Sequence, residues 1–172
     1  MQLEVTTRPV RDDDEPRFVR LWPRLSMETR YRRFHAPVHR LPREVVDRLV
    51  HVDHGAREAV VAVVGGEVIG VARYDRSPQD AAEAEFAVVV EDDWQNVGLG
   101  RQLLAELTRL AARRGVRELT ATVQADNERM VWLIRRLLPD ATFRVDAGIY
   151  TVHSPIGPPA RTDSPSLVPA GR

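Results

Sequence analysis

The sequence predicts one mixed α/β domain in which helices flank a mostly antiparallel sheet. Segments with the alternating apolar residues of strands are interleaved with segments whose apolar residues recur at helical spacing. Two strand segments, AVVAVV and EVIGVARY, are separated by Gly65-Gly66, a strong signal for an antiparallel hairpin. The length of 172 residues is that of one ordinary domain. Because hairpins dominate the predicted sheet, a parallel dinucleotide-binding fold is not expected.

The N-terminal third of the chain is predicted to contain one strand followed by three helices. Residues 3–8 alternate as in a strand. The acidic run at residues 12–15 suits the first turn of a helix, because carboxylates there meet the positive end of the helix dipole. A second helix is expected from about Ser26 and a third after Pro42. The expected apolar face of the first helix consists of Phe18, Val19, Leu21, Trp22 and Leu25.

The rest of the chain is predicted to alternate strands and helices beyond the glycine hairpin. The clearest helix runs from Leu99 to Arg114, because leucines recur along one face and Gly115 suits a C-terminal cap. The other expected elements are a strand at 82–90, a strand at 118–123, a helix at 127–138 and a closing strand pair near 143 and 149–152. Residues 154–172 hold five of the twelve prolines and few apolar residues. We therefore predict a folded domain over residues 1–153 and a disordered tail over residues 154–172.

Composition excludes several kinds of site. There is no cysteine, so disulfides, thiolate metal ligands and a cysteine nucleophile are excluded. All 25 basic residues are arginine, which excludes a Schiff-base lysine and a phosphate-loop lysine. The net charge of zero argues against nucleic acid as the main partner. No apolar run approaches the roughly 20 residues that span a bilayer, and the N-terminus lacks a signal-like apolar segment. We expect a cytoplasmic protein that binds neither nucleic acid nor membrane.

A glycine-bearing turn is the most informative segment of the chain. The predicted strand at 82–90 runs through a short acidic loop into Gln95-Asn96-Val97-Gly98-Leu99-Gly100, which opens the leucine helix. The first N–H groups of a helix have no internal partners, and together with the helix dipole they form an anion site that glycine lets a phosphate approach. The third glycine of a dinucleotide fold and the Gly-Lys-Ser/Thr of a P-loop are both missing. The alternative is a connection in which glycine only relieves backbone strain.

The turn and its surroundings resemble a known superfamily. Gln-x-x-Gly-x-Gly after a strand, opening a leucine-rich helix, resembles the signature of the GNAT superfamily of acyl-CoA-dependent N-acetyltransferases. The resemblance covers about residues 3–153 and implies the GNAT fold, in which a central strand splays from its neighbour. LSMETRYRRF, VDHGAREAVVAV and AEAEFAVVVEDDWQ further resemble bacterial Pat-type protein lysine acetyltransferases. Two positions depart from that pattern: His54 replaces a tyrosine, and His35 replaces a second aromatic residue.

The resemblance implies where acetyl-CoA binds. The backbone of Val88 and Val90 is expected to pair with the pantetheine arm, and Asn127 is expected to reach toward the pantetheine or the thioester. The plain alternative for Asn127 is a helix N-cap. The position that carries a tyrosine acid in much of the superfamily holds Ile134, so a tyrosine acid is not expected. The pyrophosphate is expected on the backbone N–H groups of Gln95, Asn96, Val97, Gly98, Leu99, Gly100 and Arg101.

A general base is needed because a lysine amine with a pKa of about 10.4 is mostly protonated at neutral pH. Glu85, which matches the Glu of the Ala-Glu segment in the resemblance, is the candidate. Its apolar neighbours Phe86, Ala87 and Val89 are expected to raise its pKa. Glu83, on the same face by alternation, is the second candidate. A solvated glutamate at the edge of the site is the structural alternative for both.

The resulting hypothesis is an enzyme that transfers acetyl from acetyl-CoA to the ε-amine of a protein lysine, with acyl-CoA synthetases as the first substrates to test. The alternatives are an acetyltransferase for a small amine (antibiotic, polyamine or amino acid) and a non-catalytic acyl-CoA-binding module. Arg30 and Arg33 are expected either to recognise acidic groups on a protein substrate or to pair with the acidic run at 12–15. His51 and His54 lack metal-ligand spacing, so no metal is expected. The protein is expected to be a monomer or homodimer.

Overall fold

The computed structural model describes residues 4–157. Seven strands form one sheet in the order β1-β2-β3-β4-β5-β7-β6, and within it only β4 and β5 run parallel. The strands are β1 (Thr6–Pro9), β2 (Arg57–Val64), β3 (Glu67–Arg76), β4 (Glu83–Val90), β5 (Glu118–Gln124), β6 (Thr142–Asp146) and β7 (Ile149–Pro155). The helices are α1 (Glu15–Leu21), α2 (Met27–Phe34), α3 (Arg43–Val50), α4 (Leu99–Arg113) and α5 (Glu128–Leu137). The predicted mixed, mostly antiparallel sheet flanked by helices is confirmed.

Two hydrophobic cores lie on opposite faces of this sheet. One face packs against α4 and α5, and the other packs against α1 and α3. In β2, Val60 and Ala62 belong to the first core, whereas Ala59 and Val61 belong to the second. Burial on both faces explains why this strand is a continuous apolar run rather than an alternating one.

The leucine helix is the most accurately predicted element. It begins at Leu99 and ends at Arg113, one residue before the predicted end. Leu103, Leu104 and Leu107 are fully buried against the sheet. Burying each of these side chains away from water contributes about 1.5–3 kcal/mol to the stability of the fold. Gly115 follows with a φ of +86°, a conformation that favours glycine.

The first helix is shorter than predicted, and its apolar face is narrower. Val19 is 54% exposed, so its assignment to the core is wrong. Phe18, Leu21 and Trp22 are buried because they recur at i, i+3 and i+4, and Val19 lies about 100° around the helix from Phe18. The regular helix ends at Leu21, two residues before a proline, and a short 3-10 turn over Trp22–Arg24 follows.

The folded domain extends beyond the predicted boundary at residue 153. Strand β7 runs to Pro155, Ser154 is fully buried, and Ile156 packs into the core while its N–H donates to the carbonyl of Arg117 at 2.8 Å. Pro155 is tolerated because its missing N–H would face away from β5, beyond Thr142, the first residue of β6. Residues 158–172, where the disordered tail is predicted, lie outside the described residues, as does Leu3. Among residues 4–157, no helix combines the length and apolar character needed to cross a membrane.

Candidate active site

The parallel strands β4 and β5 separate part of the way along their length. Their pairing joins Glu83 to Glu118, Ala84 to Leu119 and Glu85 to Thr120, and it ends there. Residues 86–90 of β4 have no partner on β5, although they continue to pair with β3 on their other side. The predicted splayed central strand is therefore confirmed, and its opening begins directly after Glu85.

The alternation of backbone hydrogen bonds along β4 determines which of its N–H and C=O groups face this opening. The carbonyl of Glu83 accepts from the N–H of Ser77, the residue after β3, at 2.8 Å. The carbonyl of Ile69 on β3 accepts from the N–H of Glu91, the residue after β4, so odd-numbered residues of β4 bond to β3. Even-numbered residues consequently direct their N–H and C=O groups toward β5. Val88 and Val90, predicted to contact the pantetheine arm, lie on this edge. Phe86 lies there too and was missed, although the same alternation applied to the sequence would have included it.

The glycine turn follows the end of β4 and positions the start of α4. Asn96 and Gly98 have φ angles of +64° and +88°, so the chain reverses sharply before the helix. The first bond into the helix runs from the N–H of Gln102 to the carbonyl of Gly98 at 3.1 Å. The N–H groups of Leu99, Gly100 and Arg101 precede that bond and have no intrahelical partner. Leu99 anchors the turn in the core. These are among the groups that the sequence predicts to bind an anion, and the side chain of Val97 beside them is exposed.

The backbone N–H of Gln95, predicted to hold the pyrophosphate, donates to the carbonyl of Asp92 at 3.2 Å, and its side chain has a role that the sequence did not predict. Its amide nitrogen donates to the carbonyl of Val90 at 3.0 Å and to the hydroxyl of Thr29 at 3.2 Å. Its carbonyl oxygen accepts from Arg129 of α5 at 2.7 Å. Gln95 therefore joins the end of β4 to α2 and α5.

A carboxylate strengthens the junction between α2 and the turn. Asp92 accepts hydrogen bonds from the N–H and hydroxyl of Ser26, at 2.9 and 2.6 Å, and from the hydroxyl of Thr29 at 2.9 Å. Burial by itself would raise the pKa of Asp92, but these hydrogen bonds outweigh burial and lower it. Sequence analysis missed this contact because residues 26 and 92 are far apart in the chain.

Asn127 is the N-cap of α5. Its side-chain oxygen accepts from the N–H of Met130 at 3.2 Å and lies 3.5 Å from a guanidinium nitrogen of Arg32 on α2. The structure thus gives Asn127 the plain capping role, and its contact with pantetheine stays a prediction. Ile134 is fully buried in the core, so this helix position supplies no acid.

Glu85, the predicted base, lies at the apex of the opening with an exposed side chain. Its cross-strand neighbours are Asp75 on β3 and Thr120 on β5, and Phe86 points to the opposite face. The expected apolar surroundings are therefore wrong, because alternation along the strand directs its largest apolar neighbour into the other core. The charge of Glu85 acts on the nearby guanidinium of Arg33.

Glu83, the second candidate base, lies two residues farther from the opening. Its carboxylate is part of a cluster with Glu118 and His153, whose potential ligand atoms all lie within 4.8 Å of one another. His153 Nδ1 is 2.6 Å from Glu118 Oε1. Because β4 still pairs with β5 at Glu83, this residue does not border the opening as Glu85 does.

Similarity to known proteins agrees with this geometry. Residues 9–138 match the model of the acetyltransferase (GNAT) family. The chain is 32% identical over 130 residues to Acetyltransferase PA5475 of Pseudomonas aeruginosa, covering 73% of this chain and 69% of that protein. It is 36% identical over 132 residues to Acetyltransferase Pat of Mycolicibacterium smegmatis, covering 76% of this chain but 39% of Pat. The crystal structure of the GNAT domain of S. lividans PAT superposes with a TM-score of 0.81 at 31% identity, covering 88% of this chain and 90% of that domain.

Relatives named for small substrates are also similar to this chain. The L-methionine sulfoximine/L-methionine sulfone acetyltransferase of Pseudomonas aeruginosa is 33% identical over 103 residues, covering 56% of this chain and 60% of that enzyme. A phosphinothricin acetyltransferase from Sinorhizobium meliloti, crystallised with acetyl-CoA, shares the fold with a TM-score of 0.72 at 18% identity, covering 89% of each chain. The chain therefore belongs to the acetyltransferase (GNAT) family, with acetyl-CoA as its cosubstrate.

Proposed function

We propose that this chain transfers the acetyl group of acetyl-CoA directly to the ε-amine of a protein lysine, with Glu85 as the general base. The observation that carries the proposal is the end of strand pairing at Glu85 and Thr120. The carboxylate of Glu85 lies where β4 and β5 begin to separate. The N–H groups at the start of α4, which we propose as the anion site, follow the other end of β4.

This arrangement determines the orientation in which acetyl-CoA would lie along β4. The pyrophosphate binds the N–H groups of Leu99, Gly100 and Arg101, and the pantetheine arm runs along residues 86–90 as a substitute for the missing β5 partner. Five residues of strand span about 16 Å, which suits an extended pantetheine arm. The thioester then lies beside Glu85.

In the proposed reaction, Glu85 accepts a proton from the lysine ammonium, directly or through a water molecule. The neutral amine attacks the thioester carbonyl, a C–N bond forms, and the C–S bond breaks. CoA leaves as a thiolate and takes up the proton that the attacking nitrogen loses, so the products are acetyl-lysine, CoA and the proton held by Glu85. The mechanism needs no covalent enzyme intermediate.

Two observations favour a protein as the acceptor. The chain resembles Pat-type enzymes, and Pat of M. smegmatis is among its relatives. The sheet surface beside Glu85 is open, with exposed side chains that include Thr122, Thr151 and His153. An open surface suits a lysine on a protein, and acyl-CoA synthetases are the first substrates to test. The cytoplasmic location and the monomeric or homodimeric state remain predictions.

A small amine is the second candidate acceptor. A relative is named for L-methionine sulfoximine and L-methionine sulfone. A recess beside Ala87 is partly closed over by α1, α2 and α3, and a closed pocket favours a small substrate.

One experiment separates these functions. The protein is incubated with acetyl-CoA and either a protein panel that includes acyl-CoA synthetases or a panel of small amines, and released CoA is measured. CoA release together with acetyl-lysine on a protein supports the proposal. CoA release with small amines only would support the second candidate. Binding of acetyl-CoA without CoA release on either panel would indicate a non-catalytic acyl-CoA-binding module.

A further inference from the structure

Two arginines line an otherwise apolar recess next to the predicted base. The recess is small, opens to solvent and lies between β3, β4 and helices α1 to α3. Arg73 on β3 is 5% exposed and lies directly opposite Ala87 on β4. Arg33 projects from α2 and is also largely buried. The remaining lining residues are apolar, so the two guanidinium groups are the cationic groups of the recess.

Arg73 is only partly neutralised. Its Nε and one terminal nitrogen donate to the carboxylate of Asp75, at 3.1 and 3.2 Å. The other terminal nitrogen is buried, and within residues 4–157 it has no hydrogen-bond partner. A buried donor without a partner costs about 1–3 kcal/mol, so its retention needs a reason.

Arg33 adds a second buried charge close to the first. Burial, and then the charge of Arg73, lower the pKa of Arg33 to about 10, whereas Asp75 and Glu85 act in the opposite sense. The guanidinium is still protonated at neutral pH. Asp14, the buried member of the acidic run that the sequence offered as a partner of Arg33, binds Arg8 and Arg17 instead. Arg30, the other arginine considered there, stacks 4.9 Å from the ring of Trp22.

We propose that Arg33 and Arg73 form a subsite for a carboxylate of the acceptor, namely an acidic side chain next to the acetylated lysine. The proposal rests on the proposed function and specifies its substrate. Paired guanidinium groups with a free donor match the two oxygens of a carboxylate. A carboxylate entering the recess would satisfy the buried donor and offset the repulsion between the two cations.

The spacing along β4 favours a side chain over a free α-amino acid. Ala87 lies two residues from Glu85 on the same face, a distance of about 7 Å. An α-amino acid holds its amine and carboxylate two bonds apart, which is too close to place one beside Glu85 and the other beside Arg73. A lysine followed or preceded by glutamate separates the two groups by many bonds and can reach both.

The test uses two lysine peptides that differ only by Glu or Gln next to the lysine. We expect wild-type protein to favour the Glu peptide by about 10- to 100-fold in kcat/KM, mainly through KM, as befits charge-assisted hydrogen bonds. Arg73→Met and Arg33→Met should each move this ratio toward one. Arg48→Met is the matched control, because Arg48 lies 3.9 Å from the same Asp75 but is largely exposed and outside the recess. It should keep the wild-type ratio.

A separate binding measurement makes the test independent of turnover. Calorimetry with the Nε-acetyl-lysine forms of both peptides measures the same Glu-to-Gln ratio without catalysis, so a chain that acetylates no peptide would refute the proposed function while the subsite is still tested. Folding of each variant is checked by its melting curve, and Arg33→Met serves if Arg73→Met does not fold. A wild-type ratio near one, or an unchanged ratio in the folded variants, would overturn the subsite. Acetylation of free amino acids but not of their amides, lost in Arg73→Met, would also overturn the acidic side chain as its ligand.

Discussion

The side-chain amide of Gln95 donates a hydrogen bond to the backbone carbonyl of Val90, 3.0 Å away. Val90 ends β4, and Gln95 begins the turn whose N–H groups are proposed to bind the pyrophosphate. The bond therefore holds the two parts of the proposed acetyl-CoA site in a fixed relation to each other.

Removing this bond should weaken cosubstrate binding. In Gln95→Ala the contacts to Val90, Thr29 and Arg129 are all lost, and we expect the Kd for acetyl-CoA to rise by about 10-fold, equivalent to about 1.4 kcal/mol. Calorimetric titration measures the change. Gln102→Ala is the matched control, because Gln102 is an exposed glutamine of α4, the helix that follows the turn; an equal weakening there would contradict the role assigned to Gln95.

Replacing Gly98 should reduce both stability and acetyl-CoA binding. Gly98 has a φ of +88° and open space where a Cβ would lie, so Gly98→Ala adds about 1–2 kcal/mol of backbone strain without a clash. Gly66→Ala is matched to it, with a φ of +84° and equally open space in the β2–β3 turn. Both should lose similar stability in denaturant unfolding, but only Gly98→Ala should bind acetyl-CoA more weakly. Equal affinities would remove the turn from the binding site.

The Asp14 carboxylate should make stability depend on pH in the acidic range. Burial would raise the pKa of Asp14, but the hydrogen bonds and charge of Arg8, the Arg11 N–H and the charge of Arg17 outweigh it and lower the pKa. A lowered pKa in the folded state contributes stability above the unfolded value of about 3.9, and this contribution is lost as the pH falls through that value toward the folded pKa. Asp14→Asn should cost about 1.5–3 kcal/mol at pH 7 and progressively less below about pH 4. Urea unfolding between pH 2 and 7 measures this, with exposed Asp13→Asn as the control; a cost that does not change with pH would refute the ionic origin.

The absence of lysine predicts that the protein does not acetylate its own side-chain amines. The chain has 25 basic residues, all arginine, so no lysine side chain can label itself. After prolonged incubation with acetyl-CoA, peptide mass spectrometry should find self-acetylation on amines only at the N-terminus. An acetyl group on another amine would mean that a second protein is present.

Local signals were enough to predict the elements whose shape depends on near neighbours in sequence. The Gly65-Gly66 hairpin and the leucine helix are both confirmed. They could be predicted because a tight turn and a 3.6-residue apolar period depend only on residues that are close together in sequence. The end of β7 was not predictable, because Ser154 and Ile156 are held by pairing with β5 and not by their own composition.

The candidate site likewise has features that depend on local sequence and features that depend on tertiary packing. The glycine turn is a local motif, and the structure presents its N–H groups as expected. The surroundings of Glu85 depend on strand register, which brings in Asp75 from β3 and Thr120 from β5. The burial of Arg73 and the partial burial of Arg33 likewise follow from how α2 packs on the sheet, which no spacing within the chain indicates.

Glu85→Gln is the most direct test of the account. Glutamine keeps the size of the side chain but cannot accept the proton, so acetyl-CoA affinity should stay near wild type while kcat at pH 7 falls by about 10²- to 10⁴-fold. Raising the pH should partly restore kcat, because more lysine is then already neutral. Glu83→Gln, two residues away on the same face, is the control and should retain most activity. If Glu85→Gln keeps more than about a tenth of wild-type kcat at pH 7, Glu85 is not the base.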